Sequence, residues 1–154
     1  MKSLRVNDGP DSATELRARA LRLLARREHS RAELVRKLAP RAESSAALEV
    51  LLGDLEKRKQ LSNERFAAER ARVLSRKFGV ARIRQDLKTK GIDRETIDGI
   101  SSDGELERAR AILERKYREP ATTREERAKR MRFLQSRGFS AEIIFRLLSA
   151  RGGD

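Results

Sequence analysis

The run Gly79-Val-Ala-Arg-Ile-Arg-Gln-Asp-Leu-Lys-Thr-Lys-Gly91-Ile92 reads as a short helix with its stop written into it. Val80, Ile83 and Leu87 recur at spacings of three and four, which places them on one side of a helix. Gly79 precedes the first turn, and Gly91 stands where a helix commonly ends in the left-handed region. The same design recurs about fifty residues away on either side, in Ser30–Leu38 and Arg127–Phe139. Lys90-Gly91-Ile92-Asp93 overlays Arg137-Gly138-Phe139-Ser140: a base, a helix-ending glycine, an apolar plug and a helix cap. The caps Ser44, Asp93 and Ser140 lie 49 and 47 residues apart, and each is followed four positions later by an aliphatic residue (Leu48, Ile97, Ile144). A period of this size marks tandem repeats. The fold expected is therefore all-α: three tandem three-helix repeats, each leaning on its neighbour because three short helices bury little alone. An elongated, curved array is the shape such a chain would take.

The punctuation along the chain sets the boundaries. Residues 1–11 lack periodicity and hold Asn7, Asp8, Gly9 and Pro10, so they read as a flexible N-terminus. Repeat 1 covers 12–62, with Ser12 or Thr14 capping a first helix that runs to about Glu28. Ser30-Arg-Ala-Glu33 forms a capping box for a second helix that stops at Pro40, and Ser44 or Ser45 opens a third. Repeat 2 covers 63–102, with Asn63 as the expected cap of its first helix and Asp93 opening a brief last one. Repeat 3 covers 103–150, with a second capping box at Thr123-Arg-Glu-Glu126 and Ser140 capping the final helix. Residues 151–154 are expected to fray. Leu61–Asn63 and Ser101–Gly104 read as polar hinges.

Chemistry is sparsely provided. With one histidine and no cysteine, the chain lacks the ligands of a transition-metal site and the nucleophile–base pairs of covalent catalysis. His29 sits at a helix junction and reads as a structural or exposed residue, not as a base. No strand precedes a glycine-rich loop, and the glycines bracketing Val80–Lys90 are helix punctuation. No catalytic residue, cofactor or metal is assigned. No apolar run has membrane-spanning length, which leaves a cytoplasmic protein as the expectation.

What the sequence does offer is positive charge. The formal net charge is +13, and it is spread over all three repeats instead of collecting in a tail. A field of this sign favours nucleic acid or an acidic protein assembly. On the Gly79–Gly91 helix, Arg82, Gln85, Lys88 and Thr89 fall opposite the apolar stripe, with Arg84 flanking and Lys90 at the end. Arg127, Lys129, Arg130, Arg132 and Arg137 decorate the corresponding helix of repeat 3. For any single one of these, an ordinary solvated position is the simpler reading. Taken together, Arg82, Arg84, Lys88, Lys90, Lys129, Arg130, Arg132 and Arg137 are assigned to a surface for phosphates or carboxylates. Helix-turn-helix reading of DNA fits poorly, because the two candidate recognition helices, Ser44–Lys59 and Asp93–Ile100, differ greatly in length and charge.

Four segments in register resemble the RecX regulatory proteins: Ala20-Leu-x-Leu-Leu24 with Ser30-x-x-Glu33-Leu34-x-x-Lys37-Leu38; Asn63-Glu-Arg-Phe-Ala67; Gly79-x-x-x-Ile83-x-x-x-Leu87-x-x-Lys90-Gly91-Ile92; and Arg132-Phe-Leu-Gln-Ser-Arg-Gly-Phe-Ser140. Asn63 departs from the pattern at a position where an acidic residue is common, and Val80 at one where a small or Tyr-Gly type turn is often seen. The resemblance implies a bacterial modulator of RecA, the recombinase that forms helical filaments on single-stranded DNA. It further implies binding along the filament groove, block of filament growth, lowered ATP hydrolysis and strand exchange, and restraint of the SOS response. The partner implied is the RecA filament, with weak contact to single- or double-stranded DNA and no membrane. A monomer and a dimer formed by repeat exchange both remain open. A non-specific DNA-binding protein acting without RecA is the alternative.

Overall fold

The computed structural model describes residues 9–152, with side chains to residue 149, and over that range the chain is all helix and turn. Residues 1–8 and 153–154 of the expected flexible ends lie outside the described residues. The first three helices are α1 (Ala13–Arg26), α2 (Arg31–Leu38) and α3 (Ser45–Lys57), with a 3-10 turn at Ala39–Arg41 where Pro40 ends α2. The next three are α4 (Asn63–Leu74), α5 (Val80–Thr89) and α6 (Arg94–Asp98). The last three are α7 (Glu105–Lys116), α8 (Arg124–Ser136) and α9 (Ala141–Gly152), whose backbone is helical two residues beyond the point where the sequence suggests fraying.

Most of these helix starts are fixed by side chains; α7 instead follows Gly104, which is left-handed and gives it no side-chain cap. Ser30 and Thr123 form reciprocal capping boxes with Glu33 and Glu126, and Ser12 forms a third with Glu15. Ser44, Asp93 and Ser140 accept from the backbone N–H groups of Ala47, Thr96 and Ile143. At α4 the cap is Ser62, whose hydroxyl accepts from the Arg65 N–H at 3.1 Å. Asn63, the expected cap, is already helical, and its Oδ1 accepts the Arg31 N–H at 2.8 Å, serving the first turn of α2.

The described residues gather into two compact units, and the middle repeat is divided between them. The first unit holds the chain to Glu69 together with Lys90–Thr96; the second holds Arg70–Thr89 and everything from Ile97. The core of the first unit is leucine: Leu16, Leu34, Leu38, Leu48, Leu51, Leu52, Leu55 and Leu61, with the fully buried Ala20 among them. Each fully buried leucine contributes about 2 kcal/mol of hydrophobic stabilisation. Leu61 belongs to this core, so the Leu61–Asn63 segment is anchored where the sequence suggests a hinge. Asp11 is likewise anchored. It is buried, and its carboxylate accepts from Arg19 at 2.8 Å and Arg41 at 2.9 Å, which hold it below the usual carboxylate range. Asp11, placed by the sequence in a flexible N-terminus at 1–11, is thus held in the fold. Lys90–Thr96 joins this unit through Gly91, whose φ is +81° and where an added Cβ would stand 2.7 Å from the Ala32 side chain.

A polar cluster seals the α1–α2 junction. His29 is 2 % exposed; its Nδ1 lies 3.0 Å from the Arg27 carbonyl and its Nε2 3.2 Å from the Lys37 ammonium. Lysine has only protons to donate, so Nε2 accepts and Nδ1–H donates: the ring is neutral. Burial lowers its pKa, and the Arg27 and Lys37 charges act in the same direction, against the bond to the Arg27 carbonyl and the charge of Glu33. Glu33, hydrogen-bonded by Arg27, is pulled down to about 2.

The second unit is built on Ala109, Ile112, Leu113, Leu134, Phe139, Ile144 and Leu147. Helix α5 enters it by its first turn. The Gly79 N–H donates to the Arg137 carbonyl at 2.7 Å, and Glu105 Oε2 accepts from the Val80 N–H at 2.9 Å. A Cβ on Gly79 would fall 2.5 Å from the Gly138 carbonyl oxygen, and one on Gly138 2.3 Å from the Arg82 Cβ. Glycine is required at both positions by close approach, and at Gly138 also by a φ of +91°. Arg70 grips Asp86 with two bonds of 2.7 and 3.1 Å, joining α4 to α5.

Acid should unfold the first unit in two stages. Below the ordinary histidine value of 6.5 the unfolded chain takes up a proton that folded His29 resists, so stability falls as pH drops from 7 toward 5. Glu33 contributes stability above its ordinary 4.5, and this is lost as pH falls from there toward 2. Thermal unfolding followed by circular dichroism from pH 8 to 3 should show both declines. His29→Gln should flatten the first and leave the second.

Candidate interaction surface

The eight basic residues assigned from sequence are divided between the two units. Lys90 belongs to the first unit, where its carbonyl accepts the Ser30 hydroxyl; the other seven lie in the second. Two of the seven are structural. Arg84 is half-buried and donates to the Ile100 carbonyl at 2.8 Å, closing the end of α6. Arg130 is only 7 % exposed, with its guanidinium 4.5 Å over the Tyr117 ring. The assignment of Arg130 to an open binding face is thus corrected: its aliphatic stem and planar head fill the α7–α8 contact, a use of arginine that a charge count does not reveal.

The remaining residues divide by setting. Lys88, Lys129 and Arg132 are exposed, and their side chains make no ion pair among the described residues. Arg82 and Arg137 converge on one ring. Arg82 lies 4.5 Å from the centre of Phe78 and donates to the Ser136 carbonyl at 2.7 Å; Arg137 lies 5.5 Å from Phe78 and 5.1 Å from Phe133. Lys116 continues the series at 5.7 Å from Phe133, whose ring meets Tyr117 edge-on at 5.9 Å. The result is an alternation of cations and rings: Arg82, Phe78, Arg137, Phe133, Lys116.

Such stacking orients a guanidinium by its face and leaves N–H groups at its edge for an anion. Because the backbone of α5 and that of the α8–α9 turn touch at Gly79 and Gly138, Arg82 and Arg137 are held at a fixed spacing. Chemically the array suits phosphate or carboxylate oxygens and carries no nucleophile or general base. Phe78, Phe133 and Lys116 are absent from the sequence assignment. The two aromatics satisfy apolar periodicity and read as core, and only the positions of Arg82 and Arg137 above their rings reveal the second role. Among the described residues no cluster of His, Asp and Glu is placed to hold a metal ion. None of their helices is long and apolar enough to cross a membrane.

The repeat architecture and this surface can be compared with known proteins. The profiles for the first, second and third three-helix domains of RecX match residues 17–51, 62–99 and 103–148, in that order. The chain belongs to the RecX family. Regulatory protein RecX of Herbaspirillum seropedicae is 46% identical over 138 residues, spanning 88% of this chain and 90% of that protein. Regulatory protein RecX of Leptothrix cholodnii is 44% identical over 137 residues, spanning 86% and 87%. The crystal structure of RecX from Lactobacillus salivarius shares the fold, with a TM-score of 0.77 at 19% identity over 90% of this chain and 97% of that one. The relatives are regulatory proteins, and this chain shares their three tandem three-helix domains.

Burial separates the basic residues experimentally. Arg130→Ala should lower stability by about 1–2 kcal/mol, from lost packing and the lost ring contact. Arg132→Ala should stay within about 0.5 kcal/mol of the parent. Urea unfolding of the two variants gives both values.

Proposed function

We propose that this chain is a negative regulator of the RecA recombinase. It binds the filament that RecA forms on single-stranded DNA, blocks its extension, and so reduces ATP hydrolysis, strand exchange and SOS signalling. The observation that carries this reading is the ordered match of all three RecX domains along the chain. The physics is consistent with it. A net charge of +13 suits a polyanionic assembly of protein and DNA, and several weak contacts along a repeating polymer add up through effective concentration. Lys88, Lys129, Arg132 and the ring-stacked Arg82 and Arg137 are the residues proposed to meet it.

A second reading has its own support. A run of cations interleaved with aromatic rings is also how proteins hold nucleic acid without regard to sequence, by pairing with phosphates and stacking on bases. In that case the chain would act on DNA without any recombinase, and log affinity would fall steeply with log salt.

ATP hydrolysis by RecA on single-stranded DNA separates the two. With DNA in excess, substoichiometric amounts of this protein should suppress hydrolysis if the filament is the target. An effect that vanishes when DNA is in excess would favour simple competition for DNA. Replacing Lys88, Lys129 and Arg132 together by Ala should raise the amount needed for half-inhibition about tenfold at physiological salt, through lost steering and contact. An unchanged titration would remove this face from the binding site.

A further inference from the structure

The stacked cations leave untouched a separate feature of the second unit. Between α8 and α9 runs an apolar groove of about 780 Å³, floored by Ala128, Met131, Ile144, Phe145 and Leu148. Phe145 is 70% exposed and Met131 42%. A largely exposed phenylalanine is costly in a chain that is only 4% aromatic, and here it faces a second large apolar side chain across the groove. On α8 the walls are Arg124, Arg127, Ala128, Met131 and Gln135, one stripe spaced at three and four residues over about 16 Å of helix. The stripe on α9 runs from Ala141 to Ser149, about 12 Å. Walls of this length match two to three turns of a guest helix that presents anchors at every third or fourth position.

The charge at one end says what kind of guest. Arg124 and Arg127 line the groove at the N-terminal end of α8, while Glu125 and Glu142 do not line it. The side chains of Arg124 and Arg127 make no ion pair or hydrogen bond among the described residues. Cations in the first turns of a helix oppose its dipole, so these two do nothing for α8 itself. Two unpaired guanidiniums at the mouth of an apolar slot are complementary to carboxylates that follow apolar anchors.

We propose that the α8–α9 groove is a docking site for an amphipathic helical segment of a protein partner, one that carries leucine or aromatic anchors on one face and a cluster of Asp or Glu at one end. Met131 and Phe145 bracket the anchors, and Arg124 and Arg127 take the acidic end. This goes beyond filament regulation and does not depend on the cation–ring array.

The chain contains two methionines, Met1 and Met131, so methyl-labelled methionine gives a two-signal carbon–proton spectrum with one reporter inside the groove. The probe is a fluorescein-labelled helical peptide of about fourteen residues with Leu and Phe spaced three and four apart and four terminal Glu; a second peptide carries Lys in place of Glu. The acidic peptide should shift the Met131 signal saturably and bind at least tenfold more tightly than its Lys counterpart. Phe145→Ser should weaken it at least tenfold, as should Arg124→Glu with Arg127→Glu. Arg22→Glu with Arg36→Glu, an equal change of charge on exposed residues of the first unit, should have little effect. Loss of binding to the same degree in that control would overturn the proposal in favour of general charge attraction. No movement of Met131 at saturating peptide would overturn it as well. So would a Met131 signal that moves with protein concentration alone, because a second copy of the chain would then fill the groove.

Discussion

Short helices have ends that must be satisfied, and this constraint governs most of the structure. Helices of 5 to 14 residues are marginal by themselves, since nucleation costs nearly as much as so few hydrogen bonds return. Every start therefore depends on a partner for its free N–H groups, and a serine, threonine or aspartate immediately before the helix supplies it in most cases. The exceptions are informative. At α5 the partner is Glu105 from another helix, at α7 the Ser102 carbonyl takes the Glu105 N–H in place of a side-chain cap, and even at α2 the cap Ser30 is supplemented by Asn63. Helix ends are thereby used as joints: satisfying an orphan donor also fixes where one helix meets the next.

Arginine carries the second theme. The chain has 37 basic residues against 24 acidic ones, yet many of the arginines are not surface charge in any simple sense. Arg82, Arg84 and Arg115 donate to backbone carbonyls of other segments, at Ser136, Ile100 and Arg76. Arg31 spans α2 and α3 by bonding both Glu49 and Glu56. Arg130 and Arg137 lie on rings. With few aromatics and no tryptophan available, long planar side chains take over part of the packing that larger rings perform elsewhere. Net charge remains high because the acids are fewer, and part of the basic set that carries it is also bound into the packing.

The helices were legible because their punctuation is local. Ser30–Glu33, Thr123–Glu126, Gly91 and Gly138 announce themselves within four residues, and the structure uses each as its spacing indicates. What was not legible was tertiary. Whether Asn63 or Ser62 caps α4 depends on Asn63 having the α2 terminus within reach, and no window on the sequence contains both. Lys59, at φ +62°, ends α3 where glycine is usual, so the turn there carries no sign of itself. The binding face was half legible for the same reason. A helical wheel shows that Arg130 and Arg132 are basic, but only Tyr117, thirteen positions earlier, decides that the first is covered while the second is open.

The meeting of Gly79 and Gly138 reaches into how such a sequence can drift. The Cβ that Gly138 excludes would lie on Arg82, and the one that Gly79 excludes would lie on the Gly138 carbonyl, so Gly79 and Arg82 share one small volume with a glycine fifty-odd residues further along the chain. Exchanging Arg82 for another residue with a Cβ leaves the glycine at 138 as necessary as before. Gain of a side chain at either glycine has no local remedy, because the obstacle is backbone. In descendants of this chain a change of side chain at 82 leaves this backbone contact as it is while the two glycines are locked together, and a lineage that loses one must rebuild the joint between α5 and the α8–α9 turn before it can keep the other.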